Sequence, residues 1–228
     1  MAQEPRRPGP ERAFTSGQVA DLALGLLDEH GPDALSIRRV AGRMGVAPNA
    51  VYTYFPDKSA LLRAVVDRIV GEHDTRILEA TEVPWRERIV AVALDIRTRL
   101  LAHPGSALLF MSAPIDGPNS LALGEALLGA LADGGLAPDE AARASYAIIV
   151  HVLGSVALEA AEVDPAEPLP SEADRIAGRR TAFGSVPAEV FPRTAGVADV
   201  MAAYVGTEQF RWGLERLLDG FAAAARSR

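Results

Sequence analysis

Between residues 36 and 58 the chain collects side chains that bond phosphates and base edges: Ser36, Arg38, Arg39, Asn49, Tyr52, Thr53, Tyr54 and Lys58. Cations and hydroxyls hold a nucleic-acid backbone in place. Arginine pairs with guanine and asparagine with adenine through two hydrogen bonds each. The set suits the surface of a duplex and not a reaction centre. No phosphate-binding Gly loop, G-x-S-x-G or H-E-x-x-H is present, and the four histidines are scattered. The reading is a protein that is not an enzyme, with no cofactor and no metal.

The mount for these side chains is legible in the same stretch, LSIRRVAGRMGVAPNAVYTYFPDKSALL. Ser36 precedes Ile37, Val40, Ala41 and Met44, the apolar stripe of a short helix that its hydroxyl can cap. Gly45 ends that helix, since only glycine takes positive φ without steric cost. Pro48 suits the first turn of a second helix, with Val51 and Phe55 inward and Pro48, Asn49, Ala50, Tyr52, Thr53 and Tyr54 outward. Ala47 offers no cap there, a loss of about 1 kcal/mol, so this helix is expected to order fully only on DNA. Pro56-Asp57 breaks it, and Asp57 caps a third helix running to about Glu72. Two short helices about a glycine turn make a helix-turn-helix, whose second helix enters the major groove.

The segment resembles the DNA-binding domain of TetR-type transcriptional regulators over roughly residues 15 to 65. The resemblance rests on Leu35, Ser36, Gly45, Val46, Tyr52, Tyr54, Phe55 and Lys58. It implies that Arg38 meets a guanine, with a phosphate contact as the alternative. Asn49 can read adenine or simply be a polar residue of the first turn. Ala50 and Thr53 present methyl groups to thymine, and Ser36, Tyr52, Tyr54 and Lys58 hold phosphates. Arg39 and Pro48 complete the expected DNA-facing set. Position 54 is often histidine in that family; Tyr54 donates one hydrogen bond but cannot become cationic.

Composition bounds the rest. With 228 residues, 49% of them hydrophobic, the chain can bury a large core, and its patterning is helical throughout. The fold class is therefore all-α: a three-helix head over residues 14–60 and a larger helical body over 61–228. Net charge is −7, yet residues 1–60 balance seven Lys/Arg against seven Asp/Glu, so the acidic excess lies in the body. Arg38, Arg39, Arg43 and Lys58 make a local basic patch, which fits a site-specific DNA binder. Lys58 is the single lysine and there is no cysteine, which excludes disulfides and thiolate metal sites.

Residues 1–13 read as a disordered arm, with Arg6, Arg7 and Arg12 solvated or reaching DNA. The arginines there are not followed by an apolar run, so no secretory signal is expected. No apolar stretch is expected to approach the roughly 20 residues of a membrane span. The expected location is the cytoplasm.

In the body, helices are expected over 85–102, 121–131, 138–162, 188–204 and 208–225, with a mobile loop over 163–187 carrying at most a short helical turn at 175–186. This half resembles the tetracycline-repressor branch, in which the long helix and the last helix form a four-helix dimer bundle. That likeness implies a homodimer through Ile148, Val152, Ser155, Phe210, Leu214, Leu217, Leu218 and Phe221. The other reading of the Phe210 stripe is an intrachain core. It also implies a small-molecule effector among the body helices, with His73, His103, Phe110, Met111, Asn119 and His151 as candidate contacts; each is otherwise a core or surface residue. Where the tetracycline repressor holds a metal by a histidine, this chain has Leu109 or Phe110, which points to an apolar or aromatic effector.

The expected function is a homodimeric repressor on a palindromic double-stranded DNA operator, released by the effector. The alternatives are control by a partner protein, or a helical ligand-binding module or enzyme with a vestigial head.

Overall fold

The computed structural model describes residues 14–31, 35–102, 109–111, 115–162 and 169–226. The arm 1–13 and His103 lie outside them. Described residues are helical, without strands. The head comprises α1 (Ser16–His30), α2 (Ile37–Met44), α3 (Pro48–Val51) and the start of α4 (Lys58–Val70). Thr15 and Gln18 close a reciprocal capping box on α1, and Gly31 ends it at φ 73°. The stripe Val19, Ala23, Leu27 packs on Val40, Ala41, Val51, Phe55, Leu61 and Val65 to fill the head.

The body follows as α5 (Arg76–Glu79), α6 (Trp85–Ala102), a 3₁₀ turn (Leu109–Met111), α7 (Pro118–Asp133), α8 (Pro138–Ala160), α9 (Glu172–Gly184), α10 (Pro192–Ala195), α11 (Ala198–Ala202) and α12 (Thr207–Arg226). Its core joins Ile89, Val92 and Ala93 of α6 to Leu127 and Leu131 of α7, Ile148 and Val152 of α8, and Phe210, Leu214 and Leu218 of α12. Helix α4 belongs to both halves, because its Ile69 and Val70 share one cluster with Leu100, Phe110 and Val156 of the body.

Three expectations are corrected. Residues 172–184, expected within a mobile loop, form a regular helix capped by Ser171, whose hydroxyl accepts from the Asp174 amide. The segment 188–204, expected to be one helix, breaks into two short ones, α10 beginning at Pro192 and ending at Gly196. And α8, 23 residues long and containing an 18-residue stretch of mean hydropathy 1.5, is long and apolar enough to cross a membrane. It is apolar on two sides: one face is body core and the other, described below, is exposed. Its buried Glu159 is bonded by Arg97 of α6 and Arg175 of α9.

Candidate nucleic-acid interface

Gly45 makes the turn that aims α3. At φ 69° and ψ 27° its N–H reaches the Gly42 carbonyl while the Val46 N–H reaches that of Ala41, so the end of α2 is closed by the backbone itself. Ser36 caps the other end, its hydroxyl accepting from the Arg39 amide at 3.3 Å. Helix α3 is a single turn with Pro48 at its start and no side-chain cap at Ala47. Beyond it the chain continues in tight turns, with Tyr54 N–H bonding Val51 O and Phe55 N–H also bonding Val51 O. Val51 and Phe55 anchor this segment in the core.

Arg38, Arg39, Pro48, Asn49, Tyr52, Thr53 and Lys58 stand exposed on one end of the head, with Ser36 and Ala50 half-buried among them. The Thr53 hydroxyl donates to Ala50 O at 2.6 Å, which leaves its methyl as the group to be presented outward. Among the described residues Arg38, Arg39 and Lys58 form no ion pair, so their charge stays available to phosphates. Tyr54 of the expected contact set and Arg43 of the expected basic patch are engaged within the head instead. Tyr54 is half-buried against the head core, and its hydroxyl accepts from the Phe14 amide at 3.3 Å. Arg43 forks onto Glu29 of α1, and that hydrogen-bonded charge holds the Glu29 carboxyl below the usual range. The usable basic patch is thus Arg38, Arg39 and Lys58.

Helix α4 connects this surface to a joint and a cavity. At the joint, buried Asp67 accepts from the Ser120 amide and hydroxyl, both at 2.9 Å, and from Asn119 Nδ2 at 3.0 Å. It therefore caps the N-terminus of α7 from another helix. Gly117 and Gly71 make the approach possible: a Cβ on Gly117 would lie 2.2 Å from Asp67 Cγ, and one on Gly71 would lie 2.7 Å from Asn119 Nδ2. Beside the joint lies a partly open, largely apolar cavity of about 100 Å³. Val70, Ile89, Ile96, Phe110, Leu127 and Ile148 are among its walls, and its polar lining residues are His73 and Ser120.

Of the expected effector contacts, His73 and Phe110 line this cavity. Met111 falls in the 3₁₀ turn beside Phe110. Asn119 is committed to Asp67, and His151 lies away from the cavity between α8 and α12, its Nε2 2.9 Å from Phe210 O. Nothing near Asp67 in the chain marks it, because its partners lie more than fifty residues away.

The pattern of bacterial regulatory proteins of the tetR family fits residues 19–65, and that of the tetracyclin repressor-like C-terminal domain fits residues 79–225. The chain belongs to the TetR family. It is a DNA-binding transcriptional regulator and not an enzyme. An HTH-type transcriptional regulator of Saccharopolyspora erythraea is 32% identical over 64% of this chain; the match spans only 61% of that relative's length. The class G tetracycline repressor of Vibrio anguillarum is 34% identical over 69% of this chain and 74% of its own length. A possible TetR family transcriptional regulator from Streptomyces coelicolor A3(2) has a solved structure that matches with TM-score 0.75 and 32% identity, covering 92% of this chain and 99% of its own. ActR of Streptomyces coelicolor, solved with (S)-DNPA, shares the fold at TM-score 0.79 and 24% identity, covering 92% of this chain and 98% of its own.

In this TetR chain the expected dimer residues need correction. Ile148, Val152, Phe210, Leu214 and Leu218 are buried within one subunit, where α12 closes on α8 and α6, so they cannot also meet a partner. Phe221 packs half-buried against the same core, and Ser155 and Leu217 are half-buried. The free apolar surface is the opposite face of α8, where Tyr146 (70% exposed), Val150 and Leu158 follow one another at four-residue spacing or multiples of it. Trp212 on α12 (58% exposed) and Val200 and Tyr204 near α11 are exposed as well. Close approach of α8 and α12 depends on Gly213, since a Cβ there would lie 2.7 Å from His151 Cε1.

A buried ion cluster locks α9 to this framework. Arg97 of α6 reaches both Glu159 oxygens at 2.8 Å and the Thr207 hydroxyl at 2.9 Å, and Arg175 of α9 also bonds Glu159. Glu172 accepts from the Thr207 amide at 3.0 Å and from its hydroxyl at 2.6 Å. Burial pushes the Glu159 carboxyl up despite its two arginines. Burial also acts upward on Glu172, but the Thr207 bonds and Arg97 together hold it below the usual range.

Proposed function

We propose that the protein is a homodimeric repressor of a palindromic operator, acting in the cytoplasm and released by an apolar or aromatic small molecule. The carrying observation is that α4 touches all the parts involved. Lys58 at its start stands on the DNA face, Asp67 holds α7, and Val70 at its end lines the cavity. The helix is about 20 Å long at 1.5 Å per residue, so a small rotation at the cavity end is magnified at the head. Filling the cavity spreads α7 from α4 and shifts the population toward a head spacing that misses successive major grooves, about 34 Å apart.

Arg38 and Asn49 read bases in this proposal, and Arg39, Tyr52 and Lys58 hold phosphates. The exposed face of α8, with Trp212, meets the same face of a second copy across a two-fold axis. Related proteins support the scheme by name: one 28% identical over 94% of this chain and 80% of its own length is an HTH-type transcriptional repressor of Streptomyces coeruleorubidus, and ActR was solved with actinorhodin.

Selection of genomic fragments by the purified protein, followed by gel shift, tests the reading. A two-fold symmetric site bound by two chains is expected. The absence of any specific shift at low salt would favour a ligand-binding module without a working head.

A further inference from the structure

We propose that a groove on the far side of α7 from the effector cavity docks a basic amphipathic helix of a partner protein. Ala122, Ala126 and Gly129 follow one another at helical spacing and, with Leu78 of α5, line a groove of about 410 Å³. Nothing lies within 4 Å of where a Cβ on Gly129 would be, so the groove is open above it. Side chains this small let the backbone of a second helix come close. From Ala122 to Asp133 the groove runs about 16 Å at 1.5 Å per residue, room for about three turns of a helix laid along it.

A buried arginine fixes the shape of this groove. Arg88 of α6 lies under it, its side chain 3% exposed. One guanidinium nitrogen donates to Leu78 O at 2.5 Å and another to Asp133 Oδ2 at 2.7 Å, so a single cation holds both walls. Its Nε–H has no acceptor, a polar group still unanswered at the floor. Charge picks the occupant. Arg88 answers Asp133, but among the described residues Glu79 and Glu125 on the rim meet no cation. The lining thus carries three carboxylates against one guanidinium. Leu121, 64% exposed, and Ile77, 38% exposed, neighbour Ala122 and Leu78 in the chain and add an apolar step. Lysines or arginines on either side of an alanine- and leucine-bearing stripe complement all of these features. A small free cation would leave most of the apolar floor wet, and a nucleic acid would be repelled. The docked helix grips α7, the same helix that Asp67 holds to α4, which gives the partner its own path to the head.

The test uses the full chain and two labelled peptides of about 18 residues, alanine-rich so that they are largely helical. Both carry alanine and leucine along one stripe; one is flanked by lysines and its twin by glutamates. Fluorescence anisotropy at about 0.15 M salt should show the lysine peptide binding about ten-fold or more tightly than its twin. Gly129→Leu fills the groove from an open helical position, so it should keep the fold and weaken the lysine peptide by about ten-fold or more. Glu125→Gln should weaken it about two- to five-fold, while Glu189→Gln, at an exposed position outside the groove, should not. Glu125→Gln serves alone if Gly129→Leu does not fold. No preference for the lysine peptide, undiminished binding by either groove variant, or an equal loss in Glu189→Gln overturns the proposal. Operator binding is measured separately and stands or falls without it.

Discussion

If α4 transmits the state of the body to the head, the Asp67 joint is where it can be cut. Asp67→Asn is the informative change, because it keeps the shape of a buried side chain and removes its charge. The carboxylate accepts two bonds at 2.9 Å from Ser120 and one at 3.0 Å from Asn119 Nδ2. Bonds to a charged acceptor contribute about 1.5–3 kcal/mol each, and they are not additive. The amide retains one acceptor oxygen and turns an N–H₂ toward donors. The net loss works out to roughly 2–4 kcal/mol, at a helix N-terminus that also loses its favourable anion. At 1.4 kcal/mol per decade, a loss of that size that freed the head would weaken operator binding by roughly 30- to 700-fold. The assay is a gel shift or anisotropy titration on the selected operator, with circular dichroism as a check that helix content is kept. Gly117→Ala should act in the same direction, since its Cβ would fall 2.2 Å from Asp67 Cγ. Operator affinity and melting temperature both unchanged in Asp67→Asn would refute the view that α7 is held to α4 by this contact.

Other outcomes follow from the same structure. Arg38→Ala should cost about 1–3 kcal/mol and relax preference at one base, which a randomised operator library would read; uniform weakening on all sequences would make Arg38 a phosphate clamp. Lys58→Ala should lower the salt slope of binding by about one ion, and an unaltered slope would strike it from the contacts. Trp212→Glu places a charge in the proposed interface; sedimentation should show a large shift toward monomer with the fold intact, and an undisturbed dimer would locate the interface elsewhere. Glu172, held below 4.5 in the folded state, contributes stability that is complete above the ordinary carboxylate range and is lost as pH falls through its folded value. Glu172→Gln should therefore melt lower than the wild type at neutral pH and show a flatter decline in acid; parallel melting curves would count against it.

The head was legible because its determinants are local. Ser36, Gly45 and Pro48 act on backbone within a turn or two of themselves, and their spacing sets the helix boundaries. The fate of Tyr54 and Arg43 was hidden, because it depends on Phe14 and Glu29 across the domain. The dimer stripe was misplaced for a different reason. Helix α8 is apolar around much of its circumference, and periodicity cannot say which apolar side faces its own chain. Helix α9 lay behind the Pro- and acid-rich run that precedes it, although Ser171 followed by Asp174 was a start signal in plain view. The joint at Asp67 gave no local sign at all, since a carboxylate in an otherwise apolar stripe resembles an ordinary helix surface residue until its partners from α7 arrive.

The doubly apolar α8 has a consequence for how the protein lives in the cell. If two copies meet on this face as proposed, a freshly folded single subunit displays Tyr146, Val150, Leu158 and Trp212 to water until it finds its twin. The share of chains in that sticky, operator-blind condition would then depend on how much protein has been made, and gene dosage would become a second input alongside any small molecule. At low copy number, repression would weaken before the last chain was gone, and the surplus subunits would be the ones offered to chaperones and proteases.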